Sequence, residues 1–165
     1  MAVSPKKQLS LDTNILLDLA KPQDFAHEFR EEFQARGYEL LIAPTVLAEL
    51  EYLITFGHTP ERQLAGRASD LADSWQLTTF DLSDVRCAIA EGFARDLQHR
   101  GLLPTDEFHD GLILGETSLG GAPLLVTSDK HLLDIDEDAL LLAFNDADLL
   151  PVRPVHPKRL LKALR

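Results

Sequence analysis

Cysteine and long apolar runs are the scarcest features of this sequence. Cys87 is the only cysteine, so an internal disulfide bond and a metal site built from several cysteines are excluded. No apolar run has the length of about 20 residues that a membrane-spanning helix needs. The lysines at positions 6 and 7 also lack the apolar segment that follows them in a secretory signal. We therefore expect a soluble protein of the reducing cytoplasm that makes no membrane contact.

Positive charge is also scarce. The chain has 16 Lys and Arg residues against 27 Asp and Glu residues, which gives a formal net charge of −11. A surface of this sign repels phosphate groups, so the composition argues against a non-specific coat for nucleic acid. It does not exclude an enzyme that takes its cations from solution, because bound divalent metals can reverse the charge of a site.

Several common site motifs are missing. The sequence has no G-x-x-x-x-G-K-[ST], G-x-G-x-x-G or G-x-S-x-G segment, and its six histidines include no pair at metal-ligand spacing. Asp134, Asp136 and Asp138 imitate the start of a calcium loop. However, Ala139 stands where such a loop needs glycine, and Asn145 stands where it needs a bidentate glutamate. We interpret these acids as a solvated loop.

Strand-like and helix-like segments alternate along the chain. At 165 residues with 45% hydrophobic content, the chain is long enough for one domain, which we assign to residues 1–165. The alternation predicts an α/β fold, a single α/β/α sandwich around a mainly parallel sheet. The predicted strands are 8–11, 38–43, 76–79, 123–126 and 149–153, and the predicted helices are 14–20, 25–36, 44–56, 60–75, 83–99, 106–119 and one from residue 157.

An aspartate follows each of two predicted strands. Asp12 comes directly after strand 8–11, and Asp129 lies just past strand 123–126. Ligands of open α/β sheets bind outside the carboxyl ends of the strands, so both carboxylates would face a ligand. The alternative is structural, because Asp-Thr-Asn is also a turn sequence in which Thr13 or Asn14 can cap the next helix.

Helices near the same edge add two further acids. Glu49 lies early in helix 44–56, and Glu51 points roughly 200° away from it, so only one of the two can face the cleft. Asp110 lies in the first turn of helix 106–119, where Asp106 is a rival one turn earlier. Right-handed crossovers put the carboxyl ends of parallel strands on one edge. We therefore expect four carboxylates to converge there: Asp12, Glu49, Asp110 and Asp129.

Such a cluster needs a cation. At an effective dielectric near 20, two carboxylates about 5 Å apart repel by roughly 3 kcal/mol. Of the four acids only Asp129 has a basic neighbour in sequence, Lys130. Oxygen ligands without histidine suit Mg²⁺ or Mn²⁺ and argue against zinc. We therefore predict a magnesium or manganese site, and we assign His109 to a helix surface.

Four segments of the chain, in order, resemble the motif blocks of PIN-domain nucleases: 11–14, 44–50, 109–113 and 125–129. The similarity extends over about residues 8–135. It implies a metal-dependent ribonuclease with an α/β/α fold that forms a homodimer, of which many relatives are VapC-type toxins held by an antitoxin. By position, it assigns metal binding and catalysis to Asp12, Glu49, Asp110 and Asp129, and accessory polar roles to Asn14 and Thr127. Gly115 departs from the resemblance, since a small helix-forming residue is more usual there.

The predicted function is hydrolysis of RNA phosphodiester bonds with Mg²⁺ or Mn²⁺, as the toxin of a type II toxin–antitoxin pair. The alternative is a catalytically inactive PIN-like module for RNA binding or protein assembly. A nuclease also needs cations that contact phosphate. The candidates are Arg62, Arg67, Lys130, Lys158, Arg159, Lys162 and Arg165.

Overall fold

A parallel five-stranded sheet forms the centre of the computed structural model, which describes residues 7–21 and 24–164. The strands are β1 (Gln8–Leu11), β2 (Glu39–Ile42), β3 (Thr78–Thr79), β4 (Leu124–Val126) and β5 (Arg153–Val155). The helices are α1 (Thr13–Ala20), α2 (Asp24–Ala35), α3 (Pro44–Phe56), α4 (Thr59–Ser74), α5 (Asp84–His99), α6 (Phe108–Leu119), α7 (Lys130–Leu133), α8 (Glu137–Asp146) and α9 (Pro157–Ala163). Every strand pairing is parallel, which confirms the predicted fold class. Among the residues described, no helix combines the length and apolar character that crossing a bilayer requires.

Helices cover both faces of this sheet. Successive side chains of a strand point to opposite faces, yet Leu9, Ser10 and Leu11 of β1 are all buried, as are residues 40–42 of β2. The buried hydroxyl of Ser10 accepts a hydrogen bond from Thr117 of α6 at 3.0 Å. Burial on both faces is typical of central strands in a parallel α/β sandwich.

The sheet has its switch point between β1 and β4. The strand order is β3-β2-β1-β4-β5, so the chain builds outward from β1 to one side and then returns to build the other side. Ser10 of β1 lies opposite Leu125 of β4. In open parallel sheets the crevice between the carboxyl ends of two such strands is where ligands bind. The residues that directly follow β1 and β4 therefore belong to the expected binding crevice.

Helix α6 begins later than the pattern predicts. Asp106 and Glu107 precede its first residue, Phe108, in a turn where the N–H of Glu107 donates to the carbonyl of Pro104. Of the acids Asp106, Glu107 and Asp110, only Asp110 lies in the first turn of α6. The expectation that Asp106 and Asp110 share one helix is therefore wrong.

The acidic segment after Lys130 is only partly the solvated loop that the sequence suggests. Asp134 and Asp136 lie in the exposed connection between α7 and α8, whereas Asp138 lies in α8, a helix that the sequence pattern did not predict. Asp136 caps α8 by accepting from the N–H of Ala139 at 2.9 Å. The apolar residues of α8 explain the helix, because Leu140 and Phe144 lie one turn apart and are both buried. The acids occupy the outer face and the cap, where they remain in water.

Strand β5 starts four residues later than the predicted segment 149–153. The N–H of Leu149 still donates to the carbonyl of Phe144 and closes helix α8, and Leu150 is 65% exposed. Pro151 has no N–H to donate to a sheet. Pairing with β4 begins only at Arg153, whose N–H donates to the carbonyl of Pro123.

Two glycines allow α5 and α6 to pack closely. A Cβ atom placed on Gly111 would lie 2.9 Å from both Cα and Cβ of Ala94, and one on Gly115 would lie 3.2 Å from Cα of Ala90. A Cβ atom at position 111 would force the helices to shift, and one at position 115 would be tight against Ala90, which gives a reason for Gly115 at its unusual position. The same packing places Asp110, the neighbour of Gly111, at the edge of the sheet.

We expect Gly111→Ala to lower the free energy of unfolding by about 1–3 kcal/mol, because the added methyl group has to displace helix α5. Gly92→Ala on the facing helix is the matched control. It has open space around its Cβ position and should stabilise the protein by up to about 1 kcal/mol. Urea denaturation of both variants measures the difference. Equal stability of Gly111→Ala and wild type would contradict the close helix packing.

Candidate metal centre

Asp12 lies at the end of β1 and caps helix α1. Its carboxylate accepts from the N–H of Thr13 at 2.8 Å. The second carboxylate oxygen, Oδ2, accepts from the hydroxyl of Thr127 at 2.7 Å and from the amide of Asn14 at 3.2 Å. The interpretation of Asp-Thr-Asn as a helix cap is thus confirmed, with Asp12 as the capping residue in place of Thr13 or Asn14. The Asp12 side chain is almost completely buried.

Thr127 joins the ends of β1 and β4. Its hydroxyl donates to Asp12 and accepts from the N–H of Asp129 at 3.0 Å. The amide oxygen of Asn14 accepts from the N–H of Ser128 at 3.2 Å. Asp129 in turn caps helix α7. These hydrogen bonds hold the polar residues after β4 in a defined position relative to Asp12.

Asp110 brings another carboxylate to this edge from helix α6. Its side chain is buried, and its Oδ2 atom has no hydrogen-bond partner within the described part of the chain. Carboxylate oxygens of Asp110, Asp129 and Glu107 all lie within 4.8 Å of one another. A buried oxygen without a donor costs free energy, and three neighbouring acids repel one another. The arrangement therefore suits a bound cation.

Glu49 reaches the cleft from helix α3. The hydroxyl of Thr13 donates to its Oε2 atom, and its Oε1 atom lies 3.5 Å from Nδ1 of His109. His109 is largely exposed, as expected for a helix surface, and Glu51 is exposed on another face of α3. The charge of Glu49 contributes to the raised pKa of Asp12, so the two carboxylates lie within electrostatic reach.

The buried acids hold their protons more strongly than free carboxyl groups do. Burial is the main cause that raises the pKa of Asp12 to about 6, although hydrogen bonds from Thr127 and Thr13 oppose the shift. Burial, followed by the charges of Asp129 and Asp12, raises the pKa of Asp110 to about 9. Asp110 therefore favours its protonated form at neutral pH until a cation replaces the proton.

These shifts predict that the metal-free protein loses stability as the pH rises. Both folded-state pKa values lie above the ordinary value of 3.8, so the folded chain binds more protons than the unfolded chain. The melting temperature in EDTA should fall between pH 4 and 6 because of Asp12, and further towards pH 9 because of Asp110. Asp110→Asn should reduce the fall in melting temperature between pH 6 and 9. A wild-type melting temperature that stays constant or rises from pH 6 to 9, with Asp110→Asn parallel to it, would contradict this prediction.

The residues present fit a hard divalent cation. The clustered donors are carboxylate oxygens, which Mg²⁺ and Mn²⁺ prefer, and the Oδ2 atom of Asp110 accepts no hydrogen bond from the described residues, so it is available as a ligand. Asp110, Asp129 and Glu107 could bind the ion. Asp12 and Glu49 lie next to them and would add negative charge to the site.

The structure places two of the four expected acids in the carboxylate cluster. Asp110 and Asp129 share one cluster, whereas Asp12 is connected to it through Thr127 and Glu49 is connected to α1 through Thr13. Sequence reasoning did not assign Glu107 to the site. The available signal was its position three residues before Asp110 at the start of a helix. Asp106 is exposed and is not part of the cluster.

The candidate phosphate-binding cations are spread over the surface. Arg62 and Arg67 donate to backbone carbonyls at the ends of α3 and α1, and Lys158 lies 5.0 Å from the centre of an aromatic ring of α2. Arg159 and Lys162 are exposed on α9, and Arg165 lies outside the described residues. Lys130 is exposed and directly follows Asp129, which makes it the candidate next to the acidic cluster.

Comparison with known proteins agrees with this geometry. The family model for the PIN domain matches residues 9–138. The fold is similar to that of VapBC2 from Rickettsia felis bound to a DNA fragment from its promoter, with 22% identity, a TM-score of 0.61, and coverage of 89% of this chain and 98% of that one. It is also similar to VapBC-1 from nontypeable Haemophilus influenzae, with 17% identity, a TM-score of 0.59, and coverage of 92% of this chain and 98% of that one. A third similar fold is that of FitAcB from Neisseria gonorrhoeae, with 16% identity, a TM-score of 0.55, and coverage of 90% of this chain and 97% of that one.

At these identities the solved structures show a shared fold and nothing finer. No curated protein sequence matches the chain. The family model, however, covers most of its length and includes all the acids of the cluster. The chain therefore belongs to the PIN domain family.

Proposed function

We propose that this protein is a Mg²⁺- or Mn²⁺-dependent endoribonuclease that hydrolyses RNA phosphodiester bonds. The observation that carries the proposal is the buried carboxylate of Asp110, whose unpartnered oxygen lies beside Asp129 and Glu107. This cluster stands at the switch point of the sheet in a chain of the PIN domain family, whose members are nucleases. The choice of RNA over DNA follows the family resemblance.

Each side chain of the site has a separate task in this proposal. Asp110, Asp129 and Glu107 hold the ion, and Asp12 supports it from the end of β1. When bound, a Mg²⁺ or Mn²⁺ ion lowers the pKa of an attacking water and stabilises charge on the leaving oxygen. Thr127 holds Asp12 and Asp129 in position relative to each other, because its hydroxyl donates to the carboxylate of Asp12 and accepts from the backbone N–H of Asp129.

The site does not depend on a covalent protein nucleophile. The hydroxyl groups of Thr13 and Thr127 both donate to carboxylates, to Glu49 and Asp12 respectively. These hydrogen bonds orient the two acids. A bound divalent ion can itself lower the pKa of an attacking water, so the proposal needs no covalent protein nucleophile.

The substrate must approach a protein of net charge −11. Three side chains that carry or can gain positive charge stand at the rim of the acidic cluster: His109, Lys130 and His131. His109 lies beside Glu49, and His131 lies 3.9 Å from Glu107. We assign the backbone contact to Lys130, because it is exposed and directly follows Asp129 of the cluster. Such a contact positions the RNA and does not take part in bond cleavage.

We further propose that the protein is the toxin of a type II toxin–antitoxin pair. Support comes from its fold neighbours, which were solved as VapBC and FitAB assemblies, two of them with a DNA fragment. If the product of an adjacent gene is the antitoxin, its co-expression should suppress growth arrest and it should copurify with the chain. Homodimer formation, cytoplasmic location and a single domain over residues 1–165 stay predictions.

Cleavage of a structured RNA by the purified chain tests the enzymatic proposal. We expect cleavage with Mn²⁺ or Mg²⁺ and none in excess EDTA, with activity restored when the metal is returned. A matched single-stranded DNA tests the choice of nucleic acid. RNA binding without cleavage in both metals would favour the alternative, a catalytically inactive PIN module.

A further inference from the structure

Glu116 is a buried acid that has no task in the proposed metal centre. It lies in the middle of helix α6 and is 7% exposed. Its Oε1 atom accepts from the N–H of Thr45 at 2.9 Å, and its Oε2 atom accepts from the hydroxyl of the same residue at 2.7 Å. Thr45 is the second residue of helix α3. A carboxylate of one helix thus binds the first turn of another.

Helix α3 has no cap within its own sequence. Ala43 occupies the N-cap position and has no side chain that can accept a hydrogen bond. Pro44 follows and has no N–H, so the N–H of Thr45 is the first that needs an external partner. Glu116 supplies that partner, and a negative charge at this end also interacts favourably with the helix dipole.

This contact connects the two helices that bring acids into the cleft. Thr45 and Glu49 are four residues apart and therefore lie on the same face of α3. Glu116 and Asp110 both belong to α6. The Glu116–Thr45 contact therefore restrains the position of Glu49 relative to Asp110, in addition to the hydrogen bond from Thr13 to Glu49.

We propose that Glu116 is a positioning residue of the metal centre, which holds Glu49 at the cleft by capping helix α3 through Thr45. The inference rests on the proposed function, since it requires that the cleft binds a divalent cation. Glu49 adds negative charge beside the ion-binding carboxylates, so its position affects how strongly they bind a cation. Hydrogen-bonding partners around a metal site commonly change its metal affinity by about 10–100-fold. Glu116 should therefore affect metal affinity although its own oxygens are occupied by Thr45.

Titration of the full chain with Mn²⁺ in a calorimeter tests this role without measuring activity. Glu116→Ala should weaken Mn²⁺ binding by about 10-fold. Glu116→Gln keeps one acceptor for the N–H of Thr45 and should recover most of the affinity. Thr45→Ala keeps its backbone N–H but loses the hydroxyl, so it should weaken binding less than Glu116→Ala does. If Glu116→Ala does not fold, the Mn²⁺ affinities of Glu116→Gln and Thr45→Ala test whether Glu116 is a positioning residue.

Two comparisons separate positioning from a general loss of structure. Ser118→Ala removes another buried polar contact of α6, a hydrogen bond to the carbonyl of Leu150, and should leave Mn²⁺ affinity unchanged. In a Glu49→Ala background, Glu116→Ala should cause no additional loss, because the coupling passes through Glu49. If the losses of Mn²⁺ affinity add in the double variant, or if Glu116→Ala binds Mn²⁺ as tightly as wild type, the inference is overturned while the proposed function stands. Failure of the wild type to bind Mn²⁺ would overturn both.

Discussion

Asp110→Asn and Asp129→Asn are each expected to lower single-turnover cleavage of RNA by about 10³-fold, which corresponds to about 4 kcal/mol of lost transition-state stabilisation. Each change removes a charged ligand from the cluster that also contains Glu107, while it keeps the size of the side chain. Rapid-quench measurement with saturating Mn²⁺ gives the rate of the chemical step.

Asp106→Asn is the matched control for these variants. It makes the same chemical change close to Asp110 in sequence, but Asp106 is exposed and outside the cluster, so the rate should equal that of wild type. Equal cleavage by wild type and both cluster variants would mean a contaminating nuclease or a different active site. A loss caused by Asp106→Asn alone would assign the catalytic role to Asp106.

Lys130→Ala should behave differently from the acid variants. Loss of a phosphate contact weakens RNA binding and reduces its dependence on salt, whereas the rate at saturating RNA changes little. Arg67→Ala is less suitable for this test, because Arg67 donates to the carbonyl of Ala20 at the end of α1 and its removal also affects the fold.

The second large effect concerns thermal stability. A divalent ion at about 100 times its Kd should stabilise the fold by about 2.7 kcal/mol if it does not bind the unfolded chain. For a chain of this size, that free energy raises the melting temperature by roughly 5–10 °C. The binding site exists only in the folded chain, where burial, followed by the charges of Asp129 and Asp12, raises the pKa of Asp110 to about 9.

Asp110→Asn should remove most of this metal-dependent gain. In EDTA at pH 8 the variant should be at least as stable as wild type, because a neutral amide replaces a buried acid and can donate to neighbouring carboxylates. Differential scanning fluorimetry with and without Mn²⁺ measures both effects. A strong loss of stability in EDTA would show instead that Asp110 has a structural role, and an unchanged metal response would remove it from the site.

Asp12→Asn tests metal binding less directly than the sequence suggests. Asp12 is both the cap of α1 and the neighbour of the cluster, since it accepts hydrogen bonds from Thr13, Asn14 and Thr127. Asparagine also caps helices well, so the cap at Thr13 should survive. The amide nitrogen cannot accept from the hydroxyl of Thr127, however, and this would disturb the connection to Asp129.

Local signals predicted most elements well. Helix α3 has the expected bounds, because proline at its start and glycine after its end are visible in sequence. Helix α5 differs from its predicted range only at Ser83, which is the cap. The signals failed where local and tertiary preferences compete. Charged residues before α6 resemble a first helical turn, and apolar residues after α8 resemble a strand until their hydrogen bonds are known.

The sequence by itself determined the fold class and the two acids at the strand ends. Alternating apolar segments require a covered parallel sheet, and a polar residue directly after a buried strand has to lie at its carboxyl edge. Asp12 and Asp129 could be found in this way because each depends only on its own strand.

Only the tertiary structure decided which acids lie together in one cluster. Strand order made β1 and β4 neighbours, the approach of α6 to α5 at Gly111 brought in Asp110, and the turn before α6 added Glu107. The role of Glu116 was hidden for the same reason, since its partner Thr45 lies 71 positions away in the chain. Distances between carboxylates depend on how separate elements pack, and no local pattern encodes that packing.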